Sequence, residues 1–392
     1  MRTLELDVTL AHMLDTLRAS LHHIPEGAQR EVRTAGVVAG FLGAYAPDAV
    51  IQSLGGHGVA AVYEGEAPGP TVLVRAELDA VPVERAELDP FAMSPPAYEH
   101  RCGHDAHMTM VAGLAPLFAQ RRPSAGRVVL LFQPAEETGE GARRVLDDPV
   151  FLGLRPDFAV ALHNVPGFPK NTVILRDDVF ACASVGMRLE LHGEPSHAAE
   201  PEKGISPAHA LGELLLELPE LSTPEGPGYR LFTITHAEMG RESFGVSPGH
   251  AKLFATLRAR TDDDLDAVRN RASELVHEKC ITYGLRPELS WREAFPETRN
   301  DAELVTLMKA ICGELGVAHV EREHPMRWSD DFGHIAAVAP SIYFGLGIGE
   351  DEPGLHQEGY AFPDGIVPVG VELLHRFVSR LLAMHRGETR AA

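Results

Sequence analysis

The sequence predicts an α/β fold: a mostly parallel-sheet domain into which a smaller ferredoxin-like (α+β) unit is inserted. Three observations predict it. Largely apolar runs such as "TVLVRAELDA", "GRVVLLFQPAEE", "DFAVALHNVPG" and "SIYFGLGIG" alternate with helical periodicity, as strands buried on both faces do. Between residues 184 and 292 the rhythm changes to β-α-β-β-α-β, the split pattern of a ferredoxin-like unit. With 392 residues, 44% of them hydrophobic, the chain can fill more than one core. The expected organisation is one discontinuous domain, 1–183 with 293–392, and a second from 184–292.

Taken in order, residues 8 to 45 read as helices, with Leu10, Met13, Leu14, Leu17 and Leu21 at helical spacing and Pro25 and Gly27 breaking the run. A short strand is expected near 59–63, and a longer one over 71–80 that ends in Glu77 and Asp79. "HDAHMTMVAGLAPLFAQ" reads as a helix with Asp105 as its N-cap. Buried strands follow at "GRVVLLFQPAEE" and "DFAVALHNVPG". In the insertion, "GMRLELHGEPSHA" is a strand and turn, "SPAHALGELLLEL" a helix, and "YRLFTITHAEMG" and "HAKLFATLRAR" are alternating strands. "DDLDAVRNRASELVHEKC" is amphipathic, with Leu265, Val268, Ala272, Leu275 and Val276 on one stripe, and "LRPELSWRE" closes the unit as a strand. "SIYFGLGIG" and the last helix, "VGVELLHRFVSRLLAMH", return to the larger domain.

Composition narrows the partners. The formal net charge of -21 repels nucleic acid and anionic membranes, so neither is expected. No apolar run is long enough to cross a bilayer, and the N-terminal stretch lacks the core and cleavage signature of a signal peptide. The four cysteines, Cys102, Cys182, Cys280 and Cys312, show no paired spacing. A disulfide scaffold is therefore not expected, and a reducing cytoplasm is the default.

Ligands of open α/β sheets sit outside the carboxyl ends of the strands. The polar residues there are Glu77 and Asp79, then Glu136 and Glu137, then His163, and after "FGLGIG" and its acidic loop, His356. "HRCGHDAH" adds Cys102 and His104, two apart, which in an extended loop leave on the same side. Each residue alone has a bland reading: a solvated glutamate pair, a structural histidine, a small buried cysteine. "HRCGHDAH" by itself fits a reactive thiol or a metal site, and His100 and His107 read as ordinary polar residues. The coincidence of ligand-type residues at four strand ends is what points to chemistry. Thiolate, imidazole and carboxylate are the ligands of zinc-type sites. Two metals can share a ligand and clamp a water, and a neighbouring carboxylate can take that water's proton. The Glu136–Glu137 pair offers one metal donor and one free base. No phosphate-binding loop of the G-x-x-x-x-G-K-[ST] kind and no C-x-x-C pair competes with this reading.

Taken together, these stretches resemble the binuclear metallo-amidohydrolase and peptidase family that includes N-acyl-amino-acid amidohydrolases, hippurate hydrolases and indole-acetyl-amino-acid hydrolases. The likeness runs in order through "LHHIPEGAQREVRT", "VRAELDAVPV", "HRCGHDAH", "LFQPAEETGEGARRVLDD", "ALHNVPGFP", "GEPSHAAEPEKGISP", "FPETRND", "SDDFGHI", "FGLGIG" and "LHQEG". It implies Cys102 as a thiolate bridging two metals, His104, Glu137, His163 and His356 as the other ligands, and Glu136 as general base. It implies that Asp79 orients a ligand histidine. His197, in "PSHAAEP", falls where a lid histidine holds the developing charge of the scissile carbonyl, in some members from the partner subunit. Arg258 matches a lid arginine able to meet a substrate carboxylate, against the plain reading of a surface strand arginine. Gly245 stands where an Asn is usual near the substrate, Asp330 where a Glu is usual, and Glu77 where an Asp is frequent.

The implied cofactors are two divalent metal ions, zinc from the softness of the thiolate, with manganese, cobalt and nickel also used in the family. The implied activity is metal-dependent hydrolysis of an amide bond in small N-acyl amino acids or short peptides. The 1–183 and 293–392 domain would then be catalytic, and 184–292 a lid that closes over the site and can join two copies as a homodimer. One alternative is a dipeptidase or carboxypeptidase preferring a free amino terminus. Another is a non-catalytic metal-binding or thiol-sensing protein, against which the presence of Glu136 argues.

Overall fold

The computed structural model describes residues 7–83, 97–226 and 228–385. Helix α1 (Val8–His22) starts under Asp7, whose carboxylate accepts from Thr9 N, and buries Leu10, Leu14, Leu17 and Leu21. Helix α2 (Val32–Gly43) is followed by strands β1 (Ala49–Leu54), β2 (Gly58–Glu64) and β3 (Thr71–Glu77). Helix α3 (His104–Ala112) precedes β4 (Arg127–Gln133), β5 (Phe158–Pro166) and β6 (Val173–Leu175). Next come β7 (Ala183–His192), α4 (Ala208–Glu217), β8 (Arg230–Met239), β9 (His250–Ala259), α5 (Asp262–Tyr283) and β10 (Arg286–Phe295). The chain closes through α6 (Ala302–Leu315), β11 (His319–Glu321), β12 (Ser341–Gly349) and α7 (Val367–Met384).

These elements form two compact units. The first takes residues up to Phe180, Thr298–His324 and the chain from Asp331 onward; the second takes Ala181–Glu297 and Pro325–Asp330. In the first unit an eight-stranded sheet has the order β1-β2-β4-β3-β5-β12-β6-β11. Its four central strands, β4, β3, β5 and β12, are mutually parallel, so their carboxyl ends share one edge. Towards the margins β1 to β2, β2 to β4 and β6 to β12 are antiparallel, and β11 pairs with β6 in parallel. Strand β1 lies outside the sequence expectation because it is a mostly exposed edge, with a register shift where Ser53 adopts a positive φ.

Strand β3 is buried at all seven positions, Arg75 included. That charge is tolerated because its guanidinium is ion-paired with Glu77 and Asp331 (2.8 Å) and donates to Gln133 Oε1 (3.0 Å). Glu77 in turn meets His107 Nδ1 at 2.8 Å, so the strand's end is fixed to α3. The run expected as one helix from 104 breaks at Gly113, and Leu114–Gln120 forms a separate helix. Pro116, without an N–H, suits the first turn of a new helix better than the interior of an old one. Helix α6 begins at Asp301, whose carboxylate accepts from Glu303 N (2.9 Å) and Leu304 N (3.1 Å). Asp301→Ala should cost about 1 kcal/mol, read as a lower urea midpoint at unchanged slope.

The second unit is an antiparallel sheet of order β8-β9-β7-β10. Leu189, Leu191, Leu253 and Leu257 alternate onto one face and pack with Leu211 and Leu214 of α4 and Leu265 and Val276 of α5. Arg188, Glu190, His192, His250 and Lys252 alternate onto the other and are half-buried.

Candidate metal centre

Four loops deliver donors to the shared edge of the parallel strands, as the strand-end rule requires. Beyond β3 stands Asp79; beyond β4 a left-handed Ala135 (φ 53°) turns the chain into Glu136 and Glu137. His163 lies within β5 near its end. The loop after β12 brings His356, itself at φ 66°, and its N–H donates to Arg101 O at 2.9 Å, tying this loop to the one that carries Cys102.

Between Cys102 and His104 the chain is not extended. Gly103 sits at φ 91°, and α3 starts at His104. A Cβ at Gly103 would lie 2.3 Å from Asn164 Oδ1 and 2.7 Å from Tyr360 Oη. Gly103→Ala therefore adds a clash to a left-handed penalty of roughly 1–2 kcal/mol, and a lower urea midpoint together with reduced bound metal is the expected reading.

The ring nitrogens are sorted by their backbone partners. His104 Nδ1 donates to Asp79 O (2.8 Å), and His163 Nδ1 donates to Asn164 O (2.8 Å), which turns both Nε2 atoms inward. His104 Nε2 lies 3.8 Å from Glu136 Oε2 and 3.7 Å from Glu137 Oε1. His356 Nε2 lies 3.4 Å from Glu137 Oε1, and His163 Nε2 lies 3.5 Å from Cys102 Sγ. Among the described residues, buried His104 Nε2 and Glu137 Oε1 have no hydrogen-bond partner. Cys102 belongs to two donor groups, one with His104 and His163 and one with Glu137 and His356, each spanning no more than 4.8 Å. A third group joins His104, Glu136 and Glu137. Orphaned inward atoms and a soft, mixed donor set are what a divalent cation needs, so these residues fit divalent cations.

The electrostatics agree. Burial, then Glu137 and Glu136, push the Cys102 thiol well above its usual range. Burial lowers His104, but the Asp79 hydrogen bond, Glu77 and Glu137 outweigh it and raise the imidazole to about 10. Burial raises Glu137, yet His356 and His104 hold its carboxyl below the usual value. Burial, with His107 beside it, keeps His163 neutral well below its ordinary value. The protein has thus arranged a buried surplus of negative donors around a point where positive charge is favoured. A dication there would reverse the thiol's preference and hold it as thiolate.

Other placements differ from the sequence expectation. Asp105 is not an N-cap: it lies inside the first turn of α3, whose N-cap is Gly103. It is buried and paired with Arg18 Nη1 (3.0 Å) and His22 Nδ1 (2.7 Å), which draws its side chain away from the helix start. Asp79 meets His104 through its backbone carbonyl, while its carboxylate accepts from Glu137 N (3.0 Å) and stands 3.6 Å from His104 Nδ1. Sequence reasoning missed His107, whose rings of contact are Glu77 and Asn164 Oδ1 (2.6 Å), and Tyr360, which accepts from Asn164 Nδ2 (2.7 Å). The i, i+3 spacing of His104 and His107 was the available signal. His197, Gly245 and Arg258 belong to the second unit. His197 is exposed on the two-residue strand Ser196–His197, which pairs with Val246–Ser247, and its Nδ1 accepts from Ala199 N (3.0 Å). Gly245 O accepts from Ala198 N (3.1 Å), and open space surrounds its Cα. Arg258 donates to Arg327 O (3.2 Å) and Ser329 Oγ (3.1 Å).

A family model described as peptidase family M20/M25/M40 matches residues 73–380. An N-acetyldiaminopimelate deacetylase of Exiguobacterium sibiricum is 28% identical over 364 residues, 92% of this chain and 97% of that protein. An N-acetylcysteine deacetylase of Bacillus subtilis is 27% identical over 346 residues, 88% of this chain and 90% of that protein. The fold matches a Bacillus subtilis protein described as a dinuclear metal binding peptidase from M20 family with TM-score 0.79 and 24% identity, covering 96% of this chain and 99% of that one. No helix among the described residues is long and apolar enough to cross a membrane.

Proposed function

This chain belongs to the peptidase family M20/M25/M40 and is a hydrolase of amide bonds, and from that premise we propose that it removes the acyl group from small N-acyl amino acids at a centre of two divalent cations held on Cys102. The observation that carries the reading is the double membership of Cys102, whose sulfur belongs to two donor groups. His104 and His163 would hold one cation and Glu137 and His356 the other. Zinc suits the thiolate and imidazole donors; manganese, cobalt and nickel are the alternatives. Such a pair, when bound, acidifies a water and polarises the amide carbonyl. Glu136, buried beside His104, takes the proton of the attacking water and delivers it to the leaving amine. His197 donates to the carbonyl oxygen as its charge develops, which is where a placed donor is worth most. The second unit acts as a lid that brings His197 to the substrate, from its own chain or from a partner copy. Arg258 and the open position at Gly245 contribute to selecting the amino-acid part.

The preference for an N-acyl group rests on the named activities of the two deacetylase relatives. A thiol-sensing role fits poorly, because Cys102 is buried and its thiol is held protonated by burial and two glutamates. The test is a panel of N-acetyl amino acids, hippurate and free dipeptides with metal-loaded protein. Cleavage of the N-acyl compounds and little of the dipeptides is expected. Preference for dipeptides would replace this reading with a peptidase, and absence of all turnover would remove it.

A further inference from the structure

A second set of metal-type side chains lies in the other unit, on the sheet face turned away from α4 and α5. We propose that Glu190, His192 and His250 form a separate divalent-cation site, suited to Zn2+, on strands β7 and β9. It is independent of the hydrolytic reading above. The donor atoms of the three residues all lie within 4.8 Å of one another. This closeness follows from the sheet. His192 and His250 are direct partners in the antiparallel register, with ring centroids 5.0 Å apart, and Glu190 precedes His192 by two residues and so shares its face.

The three side chains are partly organised for a cation already. Arg188 Nη2 holds Glu190 Oε1 at 2.7 Å, leaving Oε2 aimed at His250 Nε2, 3.0 Å away. His192 Nε2 is buried and has no hydrogen-bond partner among the described residues; the carboxylate of Glu288 stands off at 3.6 Å. A buried donor or acceptor without a partner calls for an explanation, and a cation between His192, His250 and Glu190 supplies one. Lys252, opposite Glu190 in the register, is drawn to Glu238 (2.9 Å). Side-chain exposures of 16%, 29% and 40% for Glu190, His192 and His250 leave a path from solvent. Two imidazoles and one carboxylate with a fourth position open to water is a donor set that zinc accepts. The site also lies at the root of the ribbon that bears His197. His192 and His250 flank it on either side, and Gly193 N donates to Gly249 O at 2.7 Å between them. A cation here ties β7 to β9 where that ribbon leaves the sheet.

The test uses full-length protein stripped of metal, dialysed against buffered Zn2+ and analysed for bound zinc. Cys102→Ala serves as the background, so that the strand-end centre contributes equally to every arm. In that background about one zinc per chain should remain, and it should be lost on adding His250→Ala or His192→Ala and weakened by Glu190→Gln. His277→Ala, a change at an exposed position of α5, should leave it in place. Equal thermal midpoints of the metal-free variants exclude a folding defect. Unchanged zinc in both histidine variants, or loss of equal size in His277→Ala, overturns the proposal. Because Cys102 is absent throughout, neither result bears on the hydrolytic centre.

Discussion

Glu136→Gln should keep its full metal content and lose turnover by about 10²–10⁴-fold, the range that positioned acid–base groups contribute. The substitution is isosteric. Glu136 is only 5% exposed, so the amide occupies the same space. His104 Nε2 stands 3.8 Å from its carboxylate, and Glu136 is in neither of the two donor groups described above for Cys102. The change therefore removes a proton acceptor and leaves those donors in place. The loss should appear in kcat and kcat/KM alike, since the proton moves only in the transition state. Elemental analysis of the variant separates this role from ligation. Near-normal turnover in metal-replete protein would sink the assignment of Glu136 as base, and loss of metal would reassign it as a ligand.

Cys102→Ala should act in the opposite order, on metal first and on rate as a consequence. The sulfur is common to both donor groups, so its removal takes one ligand from each. Residues that merely support a ligand are worth roughly 10–100-fold in metal affinity, and a shared ligand should exceed that. The side chain is small and the site polar, so the fold should survive; the metal-free forms of variant and parent should unfold at similar urea concentrations. Full metal content in the variant would remove Cys102 from the centre. The pair of variants is informative together: one keeps metal and loses turnover, the other loses both.

Some features needed the folded chain. His107 looked like one more polar residue beside "CGHD", yet burial places it between Glu77 and Asn164, and Asn164 bonds Tyr360 from a loop nearly two hundred residues away. No periodicity reports a contact of that span. Asp105 has the residue type and place of an N-cap, but Arg18 and His22 of α1 draw its carboxylate away, a tertiary pairing that overrides a local preference. Strand β1 was invisible because an exposed edge strand needs no apolar pattern, only a neighbour to pair with.

The sequence by itself determined the parallel centre of the sheet, because strands buried on both faces must be apolar runs, and those runs end in the residues that gather at one edge. It also supplied the donor types, since thiol, imidazole and carboxylate are written in residue types. Only the tertiary structure decided how they group. Whether one sulfur serves two donor sets depends on distances of a few ångströms among four loops, set by the left-handed turns at Gly103, Ala135 and His356 and by the partners that fix each ring. Residue type carries chemistry along the chain, but sharing a ligand is a property of space.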